Sequence, residues 1–253
     1  MSSLRCPECL MRVDSKDAVC PQCGYRFRVE QFERILPFMR RPEKQWESRL
    51  SFRQRLWGVL RIPSITFWDI AHEPDTRGPL LLLLANLVVI SLWFVAMSSK
   101  IVGATVNIVF GFLGVLLVLA LLYMLLNIFY FGVIHIIVRY SGNRDEPFSI
   151  TYLMGQYALL PFLLANLLSL GLLMVFLPYT DISSLALLYL HPIWLVVYGL
   201  ACAALLWGAI LLSMGLRERH RISTTIALIS TLSITLFVVI TVLLVRLTVI
   251  PLI

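Results

Sequence analysis

Ile150-Thr151-Tyr152-Leu153-Met154-Gly155-Gln156-Tyr157-Ala158-Leu159-Leu160-Pro161 opens an apolar run that continues to Leu177. At 28 residues, the run can cross about 30 Å of hydrocarbon at 1.5 Å per residue. A plain anchor needs only Leu, Ile and Val. Here an amide, tyrosines and a proline fall within the first turns, so this helix must pack against others. Pro161 cannot donate to the carbonyl of Tyr157 and is expected to bend the segment.

Four similar runs flank it, at about Pro79–Met97, Val106–Val138, Pro192–Met214 and Ile222–Val245. The second is 33 residues long, about 50 Å as a helix, so it must tilt, protrude or kink. Gly111 and Gly114 are the candidate break. Hydrophobic residues make up 59% of the chain and charged residues 14%, against about 45–50% and 25% in soluble domains. An integral membrane protein follows.

Charge is concentrated ahead of the first run. Residues 1–79 hold fourteen of the twenty-one Lys and Arg and ten of the fourteen Asp and Glu. The first 60 residues contain no apolar stretch of signal-peptide length, so this part is expected to stay where it is made. Among the connections, basic residues occur once at Lys100, twice at Arg139 and Arg144, not at all from Pro178 to His191, three times from Arg217 to Arg221, and once at Arg246. That alternation places the amino terminus in the cytosol and the carboxyl terminus outside or in a lumen. The membrane would be the cell membrane in a prokaryote and of ER/Golgi type in a eukaryote.

Cys6-Pro7-Glu8-Cys9 and Cys20-Pro21-Gln22-Cys23-Gly24 form two C-x-x-C knuckles. Cys6, Cys9, Cys20 and Cys23 can supply four thiolates to one tetrahedral Zn, with Gly24 free to take a positive φ. So few residues cannot bury a sufficient core, and the metal would provide the stability. A closed four-thiolate shell is structural, with rubredoxin-like iron as the other option. Glu8, Asp14 and Asp17 partly balance the nearby Arg and Lys, which disfavours nucleic acid as a partner. Cys202, alone in an apolar segment, reads as a small hydrophobe.

Between head and bundle, Trp46, Leu50, Trp57 and Leu60 share a helical face, with Arg49 and Arg53 beside it. This suggests a segment at headgroup level, with a solvated linker helix as the competing reading. Ser64 is a candidate cap for a second short helix whose Phe67, Trp68 and Ile70 would rest on the bilayer. The expected fold is mainly α: a four-cysteine zinc ribbon (1–28), a cytosolic linker with amphipathic interfacial helices (29–78), and a polytopic five-helix transmembrane bundle (79–253).

None of the five runs contains Asp or Glu, and no Lys or Arg sits mid-membrane. Pumps, ion-coupled transporters and intramembrane aspartyl proteases need such groups. His72, His135, His191 and His220 are scattered and lack metal-site spacing. No nucleophile and base can be paired, so an enzyme is not expected. The runs do carry Asn86, Asn107, Asn127, Gln156 and Asn166, with Tyr123, Tyr130 and Tyr157. Interhelical hydrogen bonds worth about 0.6 kcal/mol each are one use. Lining a channel or small-molecule carrier with Asn107, Asn127, Gln156 and Asn166 is the alternative. Gly199 with Ala203, Ala204 with Gly208, and Ala165 with Ser169 allow close helix contact, and leave homo- or hetero-oligomerisation open.

Asp75-Thr76-Arg77-Gly78-Pro79, just before the first run, resembles the D-x-x-G-P entry motif of the Yip family, the Ypt/Rab-interacting five-span membrane proteins. Gly155 to Pro161 resembles the family's G-Y-x-L-L-P signature, with Gln156 inserted between Gly155 and Tyr157. The polar hairpin Gly142 to Phe148 is similar too, and the likeness covers about residues 63–250. It implies a non-enzymatic protein that in eukaryotes serves early secretory traffic and binds prenylated Rab-type GTPases. Here a zinc ribbon replaces the disordered acidic and aromatic head of those relatives. The expected function is therefore a membrane adaptor or organiser, its ribbon and basic segment docking a cytosolic protein partner such as a small GTPase. Gly155, Gln156, Tyr157 and Pro161 are expected to be a packing hub.

Overall fold

The computed structural model describes residues 4–5, 11–13, 20, 22, 35–40, 49–102, 106–142, 145–181 and 190–249. Cys6, Cys9, Cys23 and Trp46 lie outside them. Of the head, strand β1 (Leu4–Arg5) pairs antiparallel with β2 (Arg12–Val13), Leu4 opposite Val13, and Cys20 is buried. A single 3-10 turn at Pro37–Met39 buries Met39 and sets Phe38 against Trp207, ring centroids 5.3 Å apart.

Helix α1 spans Phe52–Arg61 and opens with a capping box, in which Ser51 and Gln54 satisfy each other's backbone N–H groups. Helix α2 (Pro63–His72) follows almost at once, with Pro63 in its first turn, where the missing N–H costs nothing. Ser64 is not the cap: Ile62 holds that position without a side-chain bond. Phe67 and Ile70 do not rest on the bilayer either. Both are fully buried, because α2 packs broadly on the last turns of the fourth crossing.

The bundle consists of α3 (Arg77–Ser98), α4 (Val106–Ser141), α5 (Phe148–Ala158), α6 (Leu160–Phe176), α7 (Ile193–His220) and α8 (Thr224–Val249). Among the described residues, five stretches are long and apolar enough to cross a membrane: Arg77–Met97, Leu117–Ser141, Phe148–Phe176, Ile193–His220 and Thr224–Leu244. Helix α4 is unbroken over 36 residues, through Gly111 and Gly114, so these glycines do not interrupt it. The third stretch is two helices. The chain breaks at Leu159, two residues before Pro161, as the ring's missing N–H requires. Beyond the crossings, β3 (Ile101–Val102) and β4 (Thr180–Asp181) pair in parallel.

Burial divides the bundle along its length. No residue from Ile150 to Leu163 is exposed, and lipid-facing side chains begin at Leu164. On α7, residues 208–217 are almost wholly buried around the helix, whereas Leu195 and Val196 are open. The core therefore sits at the α2 end, where Phe67, Ile70, Phe131, Ile134, Met154, Tyr157, Leu211 and Met214 form one cluster. At the far end the helices turn apolar side chains outward, as in lipid. Helix α5 is walled by α1, α2, α3, α4 and α7, so within the third stretch only α6 turns apolar side chains outward.

Candidate functional site

The α2 end is fastened by an arginine that has left water. On α1, positions 55, 58 and 59 point inward at helical spacing, and Gly58 lets α2 approach so closely that a Cβ would strike the Thr66 hydroxyl. Arg55 projects from this face with 1% of its surface exposed. Its Nε donates to Asp69 Oδ2 at 2.7 Å, its Nη1 to Asp75 Oδ1 at 2.8 Å, and its Nη2 to the carbonyl of Glu73 at 2.6 Å. Asp69 also receives the backbone N–H of Leu50 at 3.2 Å.

Asp75 is the crossing point. Its Oδ1 accepts from the hydroxyl of Tyr157 at 2.9 Å, and its Oδ2 from the backbone N–H of Gly78 at 3.1 Å. A carboxylate over the first turn of α3 also meets the positive end of that helix. Gly78 is required by space, since a Cβ would collide with the Tyr157 hydroxyl and stand 2.8 Å from the Phe52 ring. Pro79 occupies the first turn, where no N–H is missed. Burial opposes the charge on Arg55, yet attraction and hydrogen bonding to Asp69, with Tyr157 and Asp75 adding to them, outweigh it and raise its pKa. The guanidinium stays charged, and breaking such a buried pair costs about 3–5 kcal/mol.

Gly155 faces another way: a Cβ there would enter the Phe131 ring of α4. Gln156, fully buried, donates through Nε2 to Asn127 Oδ1 at 3.4 Å, joining α5 to α4. Asn127 donates to Tyr123 O, and Asn86 to Leu82 O, each within its own helix. The backbone carbonyl of Asn166 accepts from Trp93 Nε1 at 2.9 Å. Asn107 lies in the first turn of α4. Gln156 and Asn127 thus share one contact, while Asn86 and Asn166 sit elsewhere. Of the small-residue pairs, Gly208 meets the Ala158 carbonyl, 2.7 Å from an added Cβ, whereas Gly199 faces open space.

Two fastenings brace the junction. Arg219 bonds to Glu146 at 2.6 Å and to the carbonyl of Ala71 at 3.3 Å, tying α7 and the hairpin to the end of α2. His135 and His220, far apart in sequence, come together: Thr151 Oγ1 lies 2.9 Å from His135 Nδ1 and 3.4 Å from His220 Nε2.

Asp75, Gly78 and Tyr157, which the sequence offers as parts of two separate motifs, thus converge, while Gln156 and Asn127 join at a second point. Sequence reasoning missed Arg55, Asp69 and Phe52. Asp69 was the available signal, a lone carboxylate in an otherwise apolar helix downstream of an arginine-rich one. Each carboxylate oxygen of Asp69 and Asp75 accepts from a donor, and a cavity of about 260 Å3 beside the site is lined by Arg49, Leu50, Ser51, Phe52, Gln54, Arg55 and Asp75. Among the described residues, no group of three His, Cys, Asp or Glu is placed to hold a metal.

No curated protein and no solved structure matches the chain. The Yip1 domain family matches residues 57–246, from the middle of α1 almost to the end of α8, and so takes in both halves of the Asp75–Tyr157 junction. With well over half of its length matched, the chain belongs to the Yip1 domain family.

Proposed function

We propose that this protein is a non-enzymatic membrane adaptor or organiser, with the amino terminus and the α2 end in the cytosol and the carboxyl terminus outside or in a lumen. One observation carries the reading. Arg55 rivets α1 to the start of the first crossing, so whatever precedes α1 is presented at a fixed height over the membrane. The preceding segment is the four-cysteine ribbon of Cys6, Cys9, Cys20 and Cys23, which would hold structural zinc and dock a cytosolic protein. Membership of the Yip1 domain family supports membrane traffic as the setting. The resemblance of the entry and third-span motifs makes a small GTPase the partner class to test first. Affinity capture from native membranes with the intact chain, compared with Cys20→Ser/Cys23→Ser, tests this. Loss of specific partners is expected, and an identical set would remove the docking role.

A further inference from the structure

Arg55 faces inward and is neutralised by Asp69 and Asp75, but the other side of α1 is left bare. Arg53, Trp57, Leu60 and Arg61 are all exposed and fall in one stripe at helical spacing. Trp57 keeps 57% of its surface and Leu60 42%, and the Arg61 guanidinium lies 4.6 Å from the Trp57 ring centroid. Helix α1 contains no acidic residue, and Arg49 and Arg77, also exposed, add to the same sign of charge. Two apolar side chains flanked by arginines would be a liability in open water.

The height of α1 says what covers them. The Phe52 ring lies 2.8 Å from where a Cβ of Gly78 would stand. Only two and three residues further on, Leu80 and Leu81 are 56% and 53% exposed and begin the lipid-facing surface. At 1.5 Å per residue the two levels differ by about 3–4.5 Å. The junction therefore pins the first turn of α1 beside the start of the lipid-facing surface, and Gly58, set against Thr66 of α2, holds the rest of the helix to the same end of the bundle. We propose that the Arg53–Trp57–Leu60–Arg61 face is a docking surface for anionic phospholipid headgroups. The guanidiniums meet phosphate oxygens, Trp57 lies among the glycerol groups, and Leu60 reaches the first methylenes. This goes beyond the adaptor reading, and it reserves protein docking for residues ahead of α1.

The test uses the full chain in nanodiscs containing phosphatidylcholine and phosphatidylglycerol, one of the two carrying a nitroxide near the headgroup end of its acyl chain. Subtracting the fluorescence quenching of Trp57→Phe from that of the wild type isolates Trp57, and the remaining tryptophans report that the fold is intact. Labelled phosphatidylglycerol should quench Trp57 at least about twofold more than labelled phosphatidylcholine at low salt. The excess should shrink as salt rises and vanish in Arg53→Gln/Arg61→Gln. Equal quenching by both lipids, or an excess that survives in the double variant, overturns the proposal. So does an absence of quenching by either lipid, which would leave this face in water. Ribbon-dependent partner capture is read independently, so the two proposals can fail separately.

Discussion

The hydroxyl of Tyr157 donates to Asp75 at 2.9 Å across a separation of 82 residues. It links the approach to the first crossing with the start of the third. Because Arg55 shares the same carboxylate oxygen, one acidic group secures three segments: α1, the turn before α3, and α5.

Removing the cation should be the most damaging change here. Arg55→Met leaves Asp69 and Asp75 facing each other without a counter-charge, and should destabilise by about 3–5 kcal/mol. Adding Asp69→Asn should recover part of that loss. Thermal unfolding of the four proteins of this cycle in one detergent gives the coupling; simple additivity would show that the pair does not act as a unit.

Tyr157→Phe keeps the ring and removes only the donor, at an expected cost of about 1–3 kcal/mol. Gly78→Ala should cost a similar amount by crowding the same hydroxyl. In the Tyr157→Phe background the alanine should cost less, though not nothing, since Phe52 still stands in its way. The same unfolding measurement checks this.

The raised pKa of Arg55 fixes a sign. Its contribution is fully present below the unfolded arginine pKa and is lost only as pH climbs through the still higher folded value. Between about pH 6 and pH 10 the Arg55 contribution should be flat. The stability difference between wild type and Arg55→Met should therefore not shrink as pH rises over that range.

Elemental analysis of the purified chain should find zinc at about one atom per chain, absent from Cys20→Ser/Cys23→Ser. Unfolding of the bundle should be unchanged in that variant, since Arg55, Asp69, Asp75, Gly78 and Tyr157 hold one another at the junction.

Single cysteines placed at Ser141 and Ser223 should react with a membrane-impermeant maleimide only when the cytosolic face is accessible. Those at Ser99 and Ser184 should react from the opposite side. The reverse pattern would invert the proposed orientation.

The crossings were legible because twenty apolar residues in a row have few other uses in a chain. The motifs that carry Asp75 and Tyr157 were legible in their order, but their convergence was not, since neither residue names its partner. What stayed hidden was where helices meet lipid and where they meet protein. Phe67 and Ile70 read as a membrane-resting edge because an apolar helix edge looks the same in either setting. Arg55 drew no reading beside Arg49 and Arg53, and only α2 folding back over it sets it apart. His135 and His220 looked scattered because the long helices that carry them bring their ends together.

The break at Leu159 has a consequence for the bilayer itself. The third crossing, Phe148–Phe176, is 29 residues in two helices, about 43 Å of helix. That exceeds the ~30 Å hydrocarbon slab, so the excess must tilt or stand in the headgroup layer, and the protein-enclosed α5 is the half that can leave the hydrocarbon without exposing apolar surface to water.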